Sequence, residues 1–105
     1  MVRVRFAPSP TGSLHLGNAL SAAANRRFAD EHGGRLLLRI DDTDPSRNAE
    51  GGAEAIVADL EWLGLAWDDG PLRQSERHVR HREAAHLIGE PDADGALRHG
   101  RTTLL

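Results

Sequence analysis

The sequence has no cysteine, no lysine and only four aromatic residues. Without cysteine there is no disulfide framework and no thiolate metal site, so no zinc site is expected and the redox compartment leaves no mark. Without lysine, chemistry that needs an ammonium group, whether a Schiff base or a cation on a departing phosphate, has no side chain here to supply it. No apolar run approaches the length of a bilayer span, and the polar opening Met1-Val2-Arg3-Val4-Arg5 is no signal peptide. A membrane is therefore not an expected partner, and the cytoplasm is the default compartment.

The 105 residues are enough for one small domain. With 39% hydrophobic and 28% charged residues, the composition is that of a globular chain, not a collagen-like or disordered one. A net charge of −3 argues against indiscriminate nucleic-acid binding. The charge is unevenly spread. Residues 30–70 carry 11 acids against Arg35, Arg39 and Arg47, and Arg73, Arg77, Arg80 and Arg82 then follow with His78 and His81 among them. This pattern predicts one acidic face and one basic helix, the latter read first as solvated and second as a contact for a nucleic-acid backbone.

Residues 2–6 alternate apolar and polar, the period of a half-buried strand. Residues 7–13 hold two prolines and a glycine and form a loop. A helix is predicted over 14–32, with Leu16, Leu20, Ala23, Ala24 and Phe28 on its apolar stripe and Gly33-Gly34 as its stop. Residues 35–40 read as a buried strand, which makes a βαβ unit with parallel strands and a right-handed crossover. A helix over 52–63, carrying Ile56, Leu60 and Leu63, stops at Gly64. Residues 65–71 read as a turn-rich connector, 75–88 as a helix with Val79, Ala84, Leu87 and Ile88 on its apolar side, 89–95 as a loop, and 101–105 as a possible strand. Trp62 and Trp67 read as core or edge packing. So thin a sheet is half of a doubly wound domain.

The chemistry concentrates in residues 5–18, R-F-A-P-S-P-T-G-S-L-H-L-G-N. A strand feeds a proline-stiffened loop, and the loop feeds a helix whose N–H groups form a seat for phosphate. Gly12 and Gly17 let backbone approach a ligand closely, and His15 can donate to a phosphate oxygen. Neither the Walker loop nor G-x-G-x-x-G is present.

Arg5-Phe6-Ala7-Pro8-Ser9-Pro10-Thr11-Gly12, Leu14-His15-Leu16-Gly17-Asn18, Arg39-Ile40-Asp41-Asp42-Thr43-Asp44 and Arg73-Gln74-Ser75-Glu76-Arg77 together resemble the bacterial glutamyl-tRNA synthetases, over residues 2–88. The resemblance implies an α/β fold, the N-terminal half of a Rossmann-like doubly wound parallel sheet of the class I synthetase type, incomplete here. Residues 1–88 would be part of that catalytic domain and 89–105 a divergent or truncated tail. The implied reaction joins glutamate to ATP as glutamyl-adenylate, with Mg2+ accompanying ATP, and passes the acyl group to tRNA.

His15-Leu16-Gly17-Asn18 resembles the class I H-I-G-H signature, with Asn18 in place of its second histidine. By that resemblance His15 and Asn18 are the catalytic candidates. Ser9, Thr11, Gly12, His15, Gly17 and Asn18 would serve ATP. Arg5, Ala7, Ser9 and Asp41 would serve glutamate, Arg5 on a carboxylate and Asp41 on the α-amino group, where many members carry glutamate. The family's second signature loop, which bears lysines, has no counterpart in this chain, so weak or absent activity is expected of the chain alone.

Plainer readings stand beside these. Arg5 alone suits the outward side of an edge strand, and His15 alone a surface or capping position. Asp41–Asp44 is no calcium loop, because Arg47 and Ala53 stand where a glycine and a glutamate are needed; Asp42 and Asp44 read as turn caps. His78 and His81 lack a third metal ligand. As a whole, the chain could also be a non-catalytic nucleotide- or amino-acid-binding remnant, a piece whose sheet edge pairs with a complementary protein chain, or a paralogue of the glutamyl-queuosine type.

Overall fold

A computed structural model describes residues 2–104. The chain divides into two compact units, Met1–Ser75 and Glu76–Leu105.

In the first unit, β1 (Arg3–Phe6), α1 (Leu16–Glu31), β2 (Arg35–Ile40), α2 (Gly52–Trp62) and β3 (Asp69–Arg73) follow in order. The strands form a parallel sheet ordered β1-β2-β3, with Arg3 opposite Arg35 and Phe6 opposite Leu38. Because the order marches in one direction, right-handed crossovers place both helices on the same face. The core agrees. Phe6, Leu36, Leu38 and Ile40 point to one side of the sheet and pack with Ala22 of α1 and Ala53, Ile56 and Leu60 of α2. The alternate residues Arg3, Arg5, Arg35, Leu37 and Arg39 occupy the other face, and none of them is buried. The fold class is as expected: an α/β unit with a thin parallel sheet.

Several expectations need correction. The α1 stripe is reversed: Leu16 is 77% and Leu20 62% exposed, while Ala22 and Ala29 are buried. The helix meets the sheet through small side chains, which lets it lie close, and its larger apolar residues face away. Phe28 stacks instead on the His32 ring, centroids 4.1 Å apart.

The expected connector over 65–71 ends in β3. This strand pairs with β2 at Leu37–Asp69, Arg39–Leu72 and Ile40–Arg73, across a register irregularity. Pro71 is tolerated because β3 is an edge strand and needs no N–H donor there. Aspartates complete the pairing. Asp68 Oδ2 accepts from Leu36 N at 2.7 Å, the Asp68 amide donates to Leu36 O at 2.9 Å, and Asp69 takes Arg35 through both oxygens at 2.9 and 3.0 Å.

Trp67 packs partly buried against the core, as expected, but Trp62 is 85% exposed. α2 stops as expected, with Gly64 in the left-handed region at φ 72° and Leu65 N bonded back to Leu60 O.

The second unit opens with a 3-10 turn over Gln74–Arg77 that crosses the boundary, then α3 (His78–Ile88), shorter than the predicted helix. Its expected apolar side is not buried: Val79, Leu87 and Ile88 are exposed, and only Ala85 is buried. The predicted loop over 89–95 contains β4 (Glu90–Pro91), which pairs antiparallel with β5 (Leu97–His99), and β5 with β6 (Thr102–Thr103). The possible strand at 101–105 is thus two residues long and belongs to an antiparallel meander; Leu105 lies outside the described residues. Asp92 builds the β4–β5 turn, accepting from the amides of Asp94 and Ala96 and from Arg98 Nε.

Candidate functional site

Because β1, β2 and β3 run parallel, the segments that follow them emerge at one end of the sheet, the end at which open α/β sheets bind ligands. The loop after β1 is fixed there by backbone alone at two points. Pro8 O accepts from Asp41 N at 2.9 Å, which ties it to the exit of β2, and Pro10 O accepts from Ala49 N at 2.8 Å. Asp59 of α2 accepts from Leu14 N at 2.9 Å and sets the entry to α1. Gly52 completes the arrangement: a Cβ there would collide with the Pro10 carbonyl oxygen. Pro8 and Pro10 are buried, so the loop is a packed part of the unit.

On this frame Arg5, Ala7, Gly17 and Asn18 line one open cavity of about 330 Å³, with Phe6, Pro8 and Ser21. It sits at the carboxyl end of β1, whose outer edge pairs with no strand among the described residues. A larger recess of about 700 Å³ runs along Arg3, Arg5, Leu37 and Leu72. That recess is lined mostly by the uncovered sheet face and reaches Asn25 of α1, and of the sequence-predicted residues it holds only Arg5. Ser9 and Thr11 are exposed on the loop, outside the smaller cavity, and Gly12 has φ 138°. His15 is the N-cap of α1, exposed, and its side chain makes no capping bond. With no acid in the first turn, the leading amides of α1 are left for an anion to use. A Cβ at Gly17 would meet nothing within 4 Å, so the chain leaves that space open.

Asp41 stands apart from the cavity lining and half-buried. Both its oxygens are held by Arg39, Nε to Oδ1 at 2.7 Å and Nη2 to Oδ2 at 3.1 Å. The Gln74 amide lies against the same guanidinium; oriented oxygen-first, it would set that oxygen 2.8 Å from Nε and 3.2 Å from Nη1. Asp42 does not cap the turn that follows it. It reaches across to the exit of β3, where Ser75 donates its amide at 2.8 Å and its hydroxyl at 2.7 Å. Burial works to raise the Asp42 pKa, but these two donors, with Arg73 nearby, outweigh it and hold the carboxyl below its ordinary value. Asp44 does cap, accepting from Ser46 N at 3.1 Å.

The predicted acidic face is therefore divided into local bonds: Asp41, Asp42, Asp44, Asp59 and Asp68 each hold a particular donor. On the basic side, Arg73 is paired with Glu54 at 3.0 Å and Arg80 with Glu83 at 3.8 Å. Sequence reasoning passed over Arg39, Asp59 and Gly52. Arg39 was within reach, because residues two apart on a strand share a face and Asp41 follows at that spacing. Asp59 and Gly52 carry no local signal of the segments they meet.

Among the described residues no group of three or more histidines, aspartates or glutamates converges to hold a metal ion. Among them, too, no helix is long and apolar enough to cross a membrane.

Residues 1–93 match the family described as tRNA synthetases class I (E and Q), catalytic domain. A glutamate–tRNA ligase from Rubrobacter xylanophilus is 63% identical over 76 residues, covering 72% of this chain and 18% of that protein. One from Caldanaerobacter subterraneus is 52% identical over 89 residues, covering 85% of this chain and again 18% of the relative. Among solved structures, a glutamate tRNA ligase from Elizabethkingia meningosepticum, in complex with its amino acid, superposes with a TM-score of 0.77 at 45% identity, over 83% of this chain and 19% of that one. The chain thus spans about a fifth of the length of the relatives it matches. By the family match over residues 1–93 and these identities, the chain belongs to the class I tRNA synthetases of the E and Q type and holds the N-terminal portion of their catalytic domain.

Proposed function

We propose that this chain forms the glutamate- and ATP-binding opening of a glutamate–tRNA ligase, in which glutamate is activated as glutamyl-adenylate before transfer to tRNA. The observation that carries the reading is the convergence of the loop after β1, the uncapped N-terminus of α1 and the exit of β2 at one end of the parallel sheet, with Arg5, Ala7, Gly17 and Asn18 on one cavity. A doubly wound sheet binds nucleotides where its strand order reverses. All helices of this unit lie on one face, so that reversal would fall at the open edge of β1, beside the cavity.

Each side chain has a role suited to its chemistry. Arg5, a planar fork of donors, pairs with a carboxylate of glutamate beside Ala7, and Ser9 offers its hydroxyl from the exposed part of the same loop, outside that cavity. Asp41 receives the α-ammonium group. The phosphates lie against the leading amides of α1, with Ser9, Thr11 and Gly12 on the loop before them. His15 and Asn18 donate to the phosphoryl oxygens as charge builds there, and the open space at Gly17 admits the nucleoside. Magnesium would arrive with the triphosphate; among the described residues no group of three or more His, Asp or Glu converges to hold it. The chain alone supplies only part of the positioning that adenylate formation needs, so activity without the rest of the catalytic domain is weak or absent. The setting for such a protein is the cytoplasm.

A second reading rests on the same edge: the outer side of β1, which pairs with no strand among the described residues, is one to which a strand from a complementary protein chain can add.

The test is calorimetric titration of the chain with a non-hydrolysable glutamyl-adenylate analogue, beside Arg5→Ala and His15→Ala. Saturable binding, weakened at least about tenfold in each variant, is the expected result. A folded chain that binds nothing, or variants that bind as well as the original, would overturn the reading.

A further inference from the structure

Two contacts sit side by side where the exits of β2 and β3 meet, and the reading above uses neither. In one, Asp42 accepts the amide and hydroxyl of Ser75 through separate oxygens, at 2.8 and 2.7 Å. In the other, the Gln74 amide lies against the Arg39 guanidinium that holds both oxygens of Asp41. Gln74 and Ser75 are consecutive and form the end of the segment leaving β3, so one short stretch grips the residues on both sides of the β2 exit. We propose that Gln74-Ser75 is a positioning element for the Asp41 carboxylate, and that it sets the preference of the site for a ligand bearing an α-amino group over one lacking it. This rests on the glutamate-site reading.

The argument is geometric. A carboxylate has about four lone-pair positions, and Arg39 occupies one on each oxygen of Asp41. An ammonium group can share the carboxylate only from the side that Arg39 leaves open. The plane of the guanidinium therefore decides where an α-amino group is received, and Gln74 is the side chain that lies against that guanidinium. The backbone of Asp41 is anchored on one side, by its amide to Pro8 O at 2.9 Å. On the other side the anchor is Asp42, held by Ser75 and, through its carbonyl, by Asn48 Nδ2 at 3.0 Å. Aspartate is a short side chain with little reach to make good a displaced backbone, and a shift of about 1 Å at a reacting or binding group can cost on the order of a hundredfold. Neither Ser75 nor Asp42 needs to touch the ligand. They act through Asp41.

Two probes that differ in one group separate positioning from general support of the fold: a non-hydrolysable glutamyl-adenylate analogue and its glutaryl counterpart, which lacks only the α-amino group. Both are titrated into the full chain, with a thermal melt of every variant. The original chain is expected to prefer the amino-bearing probe by at least about tenfold. Asp42→Asn and Ser75→Ala are expected to remove most of that ratio while binding of the glutaryl probe changes by no more than about twofold; Ser75→Thr, which keeps the hydroxyl, is expected to restore it. Variants that weaken both probes equally, or leave the ratio intact, would overturn the inference. If Asp42→Asn does not fold, Gln74→Ala, which removes only the contact to Arg39, must lower the ratio by itself, and a ratio unchanged there overturns the inference as well. An original chain that binds neither probe would sink the glutamate-site reading, an outcome distinct from any difference among the variants.

Discussion

At position 52 the chain has room for a hydrogen and no more. A Cβ there would meet the Pro10 carbonyl oxygen, a backbone atom that cannot swing aside as a flexible side chain could. The loop after β1 would have to move, and that loop carries Ala7, Ser9, Thr11 and Gly12. Gly52→Ala is therefore expected to destabilise the chain by about 1–3 kcal/mol in urea denaturation and to weaken the adenylate analogue together with it. Unchanged stability would mean that the loop is free to shift, contrary to the packing described here. Such contacts explain which parts of the site could be read in advance. The run from Arg5 to Asn18 is contiguous, and its prolines, glycines and histidine announce a ligand loop. The residues that hold it in place, Asp59 and Gly52, stand more than forty positions from the groups they meet and show nothing of those partners locally.

Among the elements, β1, β2 and α2 were legible from the period of their apolar residues, but Leu63, read as part of the apolar side of α2, lies past its end and is 42% exposed, while Ala53, Ile56 and Leu60 are buried. α1 was legible as a helix but not in its orientation. Periodicity weights the largest apolar residues, whereas the residues α1 buries are Ala22 and Ala29, with Ala22 in the core beside the sheet. β3 was hidden for a different reason. Asp68, Asp69, Gly70 and Pro71 are turn formers, and they become an edge strand only because the aspartates reach Leu36 N and Arg35 on the neighbouring strand. That dependence is testable by pH. The Leu36 amide first, and then Arg26, hold the Asp68 carboxyl below its ordinary value of 3.8. A group depressed on folding contributes stability that is complete above its unfolded pKa and is lost as pH falls through the folded one. Melting temperature should accordingly drop as pH falls below about 4, and Asp68→Asn should lower it at neutral pH and flatten the acid slope. An unaltered slope in the variant would assign the acid sensitivity to other carboxylates and leave β3 without the anchor described.

For the molecule as a whole, the strand order explains both the site and its incompleteness. A sheet that grows in one direction places every crossover helix on one face, leaving the face with Arg3, Arg5, Arg35, Leu37 and Arg39 without a covering helix from this unit and the outer edge of β1 unpaired among the described residues. The chain spans about a fifth of the length of the relatives it matches. The proposed glutamate and ATP site lies at the carboxyl ends of these strands. Amide chemical-shift mapping by NMR, with the non-hydrolysable glutamyl-adenylate analogue added to the labelled chain, locates that surface directly. The account predicts saturable shifts gathered on residues 5–18 and 39–44, with residues 90–103 unmoved. Shifts confined to the β4–β6 meander, or none at saturating analogue in a folded chain, would contradict it.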